Sequence, residues 1–208
     1  MQLGNLFDKM GQLEDGVTFY RQAADIRVAL GDMAKEGFVR GNLADTFIKL
    51  KRYDDARQEI VRAIECLKPF GHSAQPWIAC NTLSTIEQAH GNAPAAKDAR
   101  DQAVALYMDF RRSGGGKYEY GAQLCAMVGD AIHRGAWTDA EAALGKFGKD
   151  SHPLIDALYQ ILDGVWDVQV VEGLDYRHEV DVRLLLEQLG GEKRKPSLWS
   201  RLKSRFSK

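Results

Sequence analysis

GNLADTFIKLKRYDDARQEIVRAI, residues 41–64, is two apolar-periodic runs on either side of a polar turn. Leu43, Ala44 and Phe47 recur at three- and four-residue intervals before Lys51-Arg52, as do Ala56, Ile60 and Ala63 after it. That spacing predicts two helices folded back on each other. Ala44 and Ala56 are small where the helices must cross closely, while Phe47 and Ile60 fill the space beside them. The same pattern stands 40 residues upstream in Leu3, Gly4, Phe7, Leu13, Gly16, Tyr20 and Ala23. It returns 40 residues downstream in Leu83, Ser84, Ala93, Ala96 and Ala103, with Glu87 and Arg100 at the bulky positions. A fixed period of this size marks stacked units, each burying its apolar face against its neighbours, and such stacks offer extended concave surfaces.

Turn residues set the limits of the units. The first pair is expected over about 1–30, breaking at Gly11, and Gly31-Asp32 ends one helix and caps the next. The second is expected over 32–68, and the third over 73–112 with its break at Gly91-Asn92. The run 113–117, Ser-Gly-Gly-Gly-Lys, reads as a flexible joint. Beyond it the period slips, since Met127 follows Leu83 by 44 residues. Residues 118–191 are expected to form degenerate helix pairs, about 118–134, 137–147, 153–162 and 176–189, that cap the stack. The whole reads as all-α, a right-handed superhelical stack of antiparallel helix pairs with a helical C-terminal cap. Met1 falls about four residues into its repeat, which reads as a fragment of a longer array rather than a shortened first helix.

Composition narrows the chemistry. Hydrophobic residues make up 45% and charged residues 27% of 208 positions, ordinary for a globular chain, and no apolar run reaches 18 residues. The first residues lack the basic and apolar regions of a secretory signal. Cys66, Cys80 and Cys125 form no CxxC pair, which suits reduced thiols in a cytoplasm. Gly114-Gly115-Gly116-Lys117 is followed by Tyr118 rather than Ser or Thr and has no strand before it, so it is a linker and not a phosphate loop. His72, His90, His133, His152 and His178 fall in different elements without metal-ligand spacing, and Asp150-Ser151-His152 cannot form a triad on one turn. No catalytic residue, metal or cofactor is expected.

Residues 41–64 and LGNLFDKMGQLEDGVTFYRQAA, residues 3–24, resemble the tetratricopeptide repeat. Leu43, Ala44, Phe47, Lys51, Ala56, Ile60 and Ala63 meet its pattern, as do Leu3, Gly4, Phe7, Gly11, Gly16, Tyr20 and Ala23. The third copy departs at Glu87 and Arg100. The 40-residue period is similar to the long-helix subclass of kinesin light chains and of the adaptor that orients mitotic spindles. The resemblance covers about residues 1–112 and implies a non-enzymatic scaffold for a protein or peptide. It implies that the first helix of each pair lines an inner groove. The inward residues would be Asn5, Asp8 and Lys9, then Phe38, Asn42, Asp45 and Lys49, then Ile78, Asn81, Thr82, Thr85 and Gln88. Asparagine amides there would donate to and accept from an extended backbone at once, while Lys9 and Lys49 would attract acidic side chains. Asp45 and Thr82 replace expected asparagines or cations, so an internal or acidic segment fits better than a C-terminal carboxylate.

Charge is uneven. In residues 192–208 seven cations face Glu192 alone, so this tail carries +6 of a net charge of −1 and leaves −7 on the rest. The acidic body disfavours nucleic acid. The tail reads as a short amphipathic helix with Leu198, Trp199, Leu202 and Phe206 on one side and Arg201, Lys203 and Arg205 over the rest. Such a segment is suited to an anionic membrane surface or a partner's groove; a disordered solubilising tail is the alternative. Two functions follow: a scaffold binding an extended peptide in its concave groove, or a regulatory segment that packs against another domain of a larger bacterial signalling protein.

Overall fold

The computed structural model describes residues 1–148 and 152–190. The expected basic tail, with Leu198, Trp199, Arg201, Leu202, Lys203, Arg205 and Phe206, lies outside the described residues, as do Asp150 and Ser151. The described residues form ten α-helices and two 3₁₀ turns, without strands. The chain divides into two compact units, Met1–Asp109 and Phe110–Lys208.

The N-terminal unit is a stack of helix pairs: α1 (Gln2–Lys9) with α2 (Leu13–Ala29), α3 (Met33–Lys49) with α4 (Tyr53–Leu67), and α5 (Pro76–Ala89) with α6 (Ala93–Arg112). A 3₁₀ turn, Lys68–Ala74, leads from α4 into α5. From α1 to α5 each helix packs on the next, and α3 also touches α5, so first helices of successive pairs lie side by side. The core gathers Val17, Tyr20, Val39, Leu43, Phe47, Ile60, Ala63 and Ile86; of these the period had marked Tyr20, Leu43, Phe47, Ile60 and Ala63.

The period is visible in the backbone itself. The amide of Gln12 donates to the Phe7 carbonyl, that of Arg52 to Phe47, and that of Asn92 to Glu87, at 2.9, 2.9 and 2.8 Å. The amides of Gly11, Lys51 and Gly91 donate to residues 8, 48 and 88. These are paired Schellman closures, each requiring a left-handed residue after the helix. Gly11 and Gly91 supply it at φ 76 and 81, whereas Lys51 is forced there at φ 58.

The small residues do the work assigned to them. A Cβ on Gly4 would lie 2.7 Å from the Tyr20 ring, and one on Gly16 would face the Gly4 carbonyl at 3.6 Å. In the third pair the Ser84 hydroxyl donates to the Ala96 carbonyl at 2.8 Å. Glu87, at the position of Phe7 and Phe47, is 3% exposed and accepts from Arg57 Nε on α4 at 2.5 Å. The third pair therefore replaces an aromatic plug with an ion pair to its neighbour. Leu3 differs from Leu43: it is 53% exposed against 0%.

The C-terminal unit comprises α7 (Tyr120–His133), α8 (Trp137–Gly145), α9 (Pro153–Leu162) and α10 (Tyr176–Gly190), with a 3₁₀ turn at Val168–Val171. Its separate core includes Val128, Leu144, Leu158, Ile161, Val182 and Leu189. The Ala136 amide closes α7 on the Ala131 carbonyl at 2.8 Å around Gly135, the same turn as in the stack. Gly121 leaves room for Asp181, whose carboxylate is buried against Arg111. The expected joint at 113–117 is a hydrogen-bonded turn, with Ser113 donating to the Phe110 carbonyl at 2.7 Å and Phe110 packed over Gly115.

Candidate peptide groove

Four residues of α3, Phe38, Gly41, Asn42 and Asp45, are spaced three, four and seven apart and so share one face. With Ile78, Ala79 and Thr82 of α5 they wall an open cleft of about 120 Å³. Ile60 and Leu67 of α4, together with Ala74 and Gln75 between the pairs, complete it. Gly37 belongs to the same wall because a Cβ there would strike the Leu67 side chain at 2.7 Å, so glycine lets the end of α4 close beneath the cleft. Gly41 serves differently: nothing lies within 4 Å of where its Cβ would be, which leaves a notch open between Phe38 and Asp45. Phe38 and Ile78 are 45% and 42% exposed, apolar surface with no cover within the unit.

Among the described residues the Asn42 amide makes no hydrogen bond; only its backbone carbonyl is engaged, by the Thr46 hydroxyl at 3.0 Å. Lys49 Nζ lies 2.5 Å from an Asp8 carboxylate oxygen, tying α1 to α3, and the Thr46 hydroxyl reaches the other oxygen at 3.4 Å. Asp45 has no such partner. Desolvation by the cleft walls raises its carboxyl above the usual range; Lys49 lowers it and the neighbouring Asp8 raises it further. The side chain is nonetheless exposed at the mouth, so it is open to a ligand. Burial first, and the charges of Asp8 and Asp45 second, push the Tyr20 phenol up to about 12.

The structure thus gathers Phe38, Asn42 and Asp45 into one cleft with Ile78 and Thr82. Asn5, Lys9, Lys49, Asn81 and Thr85 are not in its lining. The Asn5 carbonyl oxygen accepts from the Tyr20 hydroxyl at 2.5 Å, so that amide is partly used in holding the first pair together. Asn81 accepts from Arg100 at 3.4 Å, and the Thr85 hydroxyl turns back to the Asn81 carbonyl at 3.2 Å. Gly41 and Gln75 escaped the sequence reading. Glycines at 37 and 41, one turn apart on the face of Phe38 and Asp45, were the available signal.

Elsewhere, the rings of His152 and His178 meet edge to face at 5.0 Å, joining two histidines that sequence spacing had kept apart. Among the described residues no cluster of three or more His, Cys, Asp or Glu could hold a metal ion, and no helix is long and apolar enough to cross a membrane. Cys66, Cys80 and Cys125 are free and buried; burial raises all three thiols, Cys125 to about 12.

Comparison with curated proteins gives no match. A family model described as tetratricopeptide repeat matches residues 1–27, which cover α1 and most of α2. Repeats of this kind generally mediate protein–protein interactions, and the match, in a chain whose later pairs repeat the same turn and crossing, supports a tetratricopeptide-repeat protein.

Proposed function

We propose that the N-terminal unit is a non-enzymatic scaffold that binds an extended peptide segment across α3 and α5. The observation that carries this is the Asn42 amide, without a hydrogen bond of its own and placed in the cleft beside exposed Phe38 and Ile78. An amide so placed donates to one peptide group and accepts from another, while apolar walls on both sides receive side chains. The helices of 17 and 15 residues in the second pair and the 40-residue step favour the long-helix subclass of the repeat over the common 34-residue form. Buried, unpaired thiols fit a cytoplasmic setting.

Peptides selected on the full chain from a displayed random library test this reading. Asn42→Ala should weaken a selected peptide by about 1–3 kcal/mol, the cost of an unpaired buried polar partner. An unchanged dissociation constant in a fluorescence-anisotropy titration contradicts the groove.

One feature favours a second reading, a segment that packs against another domain. Leu3 and Leu6 on α1, and Met10 at its C-terminal cap, are each more than half exposed. Under this reading Leu6→Glu disrupts that packing and leaves peptide affinity unchanged.

A further inference from the structure

Peptide grooves are selective through the side chains they leave unsatisfied, and here those are few. Lys49, a cation on the inner face of α3, is bonded to Asp8, and Lys9 is not in the cleft lining. Attraction of an acidic segment by these lysines is therefore weakened. Asp45 is the opposite case. Its carboxylate lines the cleft, forms no hydrogen bond or ion pair among the described residues, and feels the desolvation of the walls and the repulsion of Asp8, which the nearby charge of Lys49 offsets only in part. A cation from a partner would relieve both. At the other end of the same face stand Phe38, the open notch of Gly41 and, across the cleft, Ile78. This end is apolar, uncovered and free of charge, so it accepts a large apolar side chain.

We infer that the cleft selects a segment in which a bulky apolar residue stands about three positions from a lysine or arginine. This rests on the groove reading above. The spacing follows from geometry. Phe38 and Asp45 are seven residues apart on a helix rising 1.5 Å per residue, about 10 Å. An extended chain covers that distance in about three residues. The apolar side chain seats over Gly41 between Phe38 and Ile78, and the cation meets Asp45. Between them the peptide backbone passes Asn42. The cavity itself is small, about 120 Å³, so it seats one side chain while the rest of the segment lies along the open face.

The test is a random dodecapeptide library displayed on phage and selected on the full chain, with enriched peptides titrated by fluorescence anisotropy. Enriched sequences should carry a large apolar residue with Arg or Lys close to three positions away. Asp45→Lys should weaken such a peptide at least about tenfold through like-charge contact, and exchanging the peptide's cation for Glu should restore binding. Gly41→Leu should abolish binding of either peptide, because the new side chain enters the notch, where a Cβ meets nothing within 4 Å. Circular dichroism confirms that each variant is folded. If peptides lack the basic residue, or Asp45→Lys changes nothing while Gly41→Leu and Asn42→Ala still weaken binding, the selectivity is overturned and the groove stands. Failure to enrich any peptide, or binding indifferent to Gly41→Leu and Asn42→Ala, overturns the groove and the selectivity together.

Discussion

Lys51 holds a backbone conformation that its repeat equivalents assign to glycine. Its φ of 58 closes α3 where Gly11 and Gly91 close α1 and α5. A side chain in the left-handed region costs about 1–2 kcal/mol, and glycine's extra freedom in the unfolded chain returns roughly 0.5–1 kcal/mol of that. Lys51→Gly should therefore raise stability by about 0.5–1 kcal/mol, read as a higher urea midpoint with an unchanged slope; a lower midpoint contradicts the strain. At this scale the sequence was legible only for residues whose partners lie on the same helix. Asn42 and Asp45, which the resemblance put together on the inner face, share a cleft because they stand three apart on one helix. Asn5 lies outside the cleft lining, and Tyr20, fifteen residues later, donates to its oxygen. Glu87 looked like a flaw in the third copy because its partner Arg57 is thirty residues away on another pair. Periodicity records which positions are buried and is silent about which distant charge will meet them.

Helices were read well where a turn residue or a cap marks their ends. Pro153 opens α9, with the His152 ring accepting from the Leu154 amide at 3.1 Å, and Gly135 closes α7. The 3₁₀ turn at Val168–Val171 was missed because DVQVV lacks helical spacing and its one signal is Asp167, whose carboxylate accepts from the Gln169 amide at 2.9 Å. The start of α10 shows what a cap contributes. Asp175 Oδ1 accepts from the amides of Arg177 and His178 at 2.9 and 3.2 Å. Desolvation opposes the ionised carboxyl, yet the His178 side chain and these amides outweigh it and hold the pKa at about 2. Because the folded pKa lies below the unfolded value of about 3.9, the carboxylate stabilises the fold above about pH 4. That contribution is lost as the pH falls toward 2. Asp175→Ala should cost about 1 kcal/mol at pH 7, and the gap from the parent chain should shrink by pH 2.5 in parallel urea titrations. A gap independent of pH contradicts the carboxylate's role.

The described residues carry two cores that share no residue, one in each unit. A fragment of residues 1–112 should therefore fold alone, with a helical circular-dichroism spectrum and a cooperative thermal transition; a non-cooperative melt contradicts this autonomy. The repeat period exposed the first core because every copy reuses one turn and one crossing. The second core was harder to see, since its helices share no period and Arg111 meets Asp181 across seventy residues. Returning to the salt link between Asp8 and Lys49, its position beside Asp45 couples two events that are usually measured apart. A cation seated on Asp45 relieves the repulsion felt by Asp8, and linkage makes the effect mutual. Under the proposed binding, a cation on Asp45 would change the field at the Asp8–Lys49 link, so α1 would become a gauge of occupancy that amide hydrogen exchange can follow without any label.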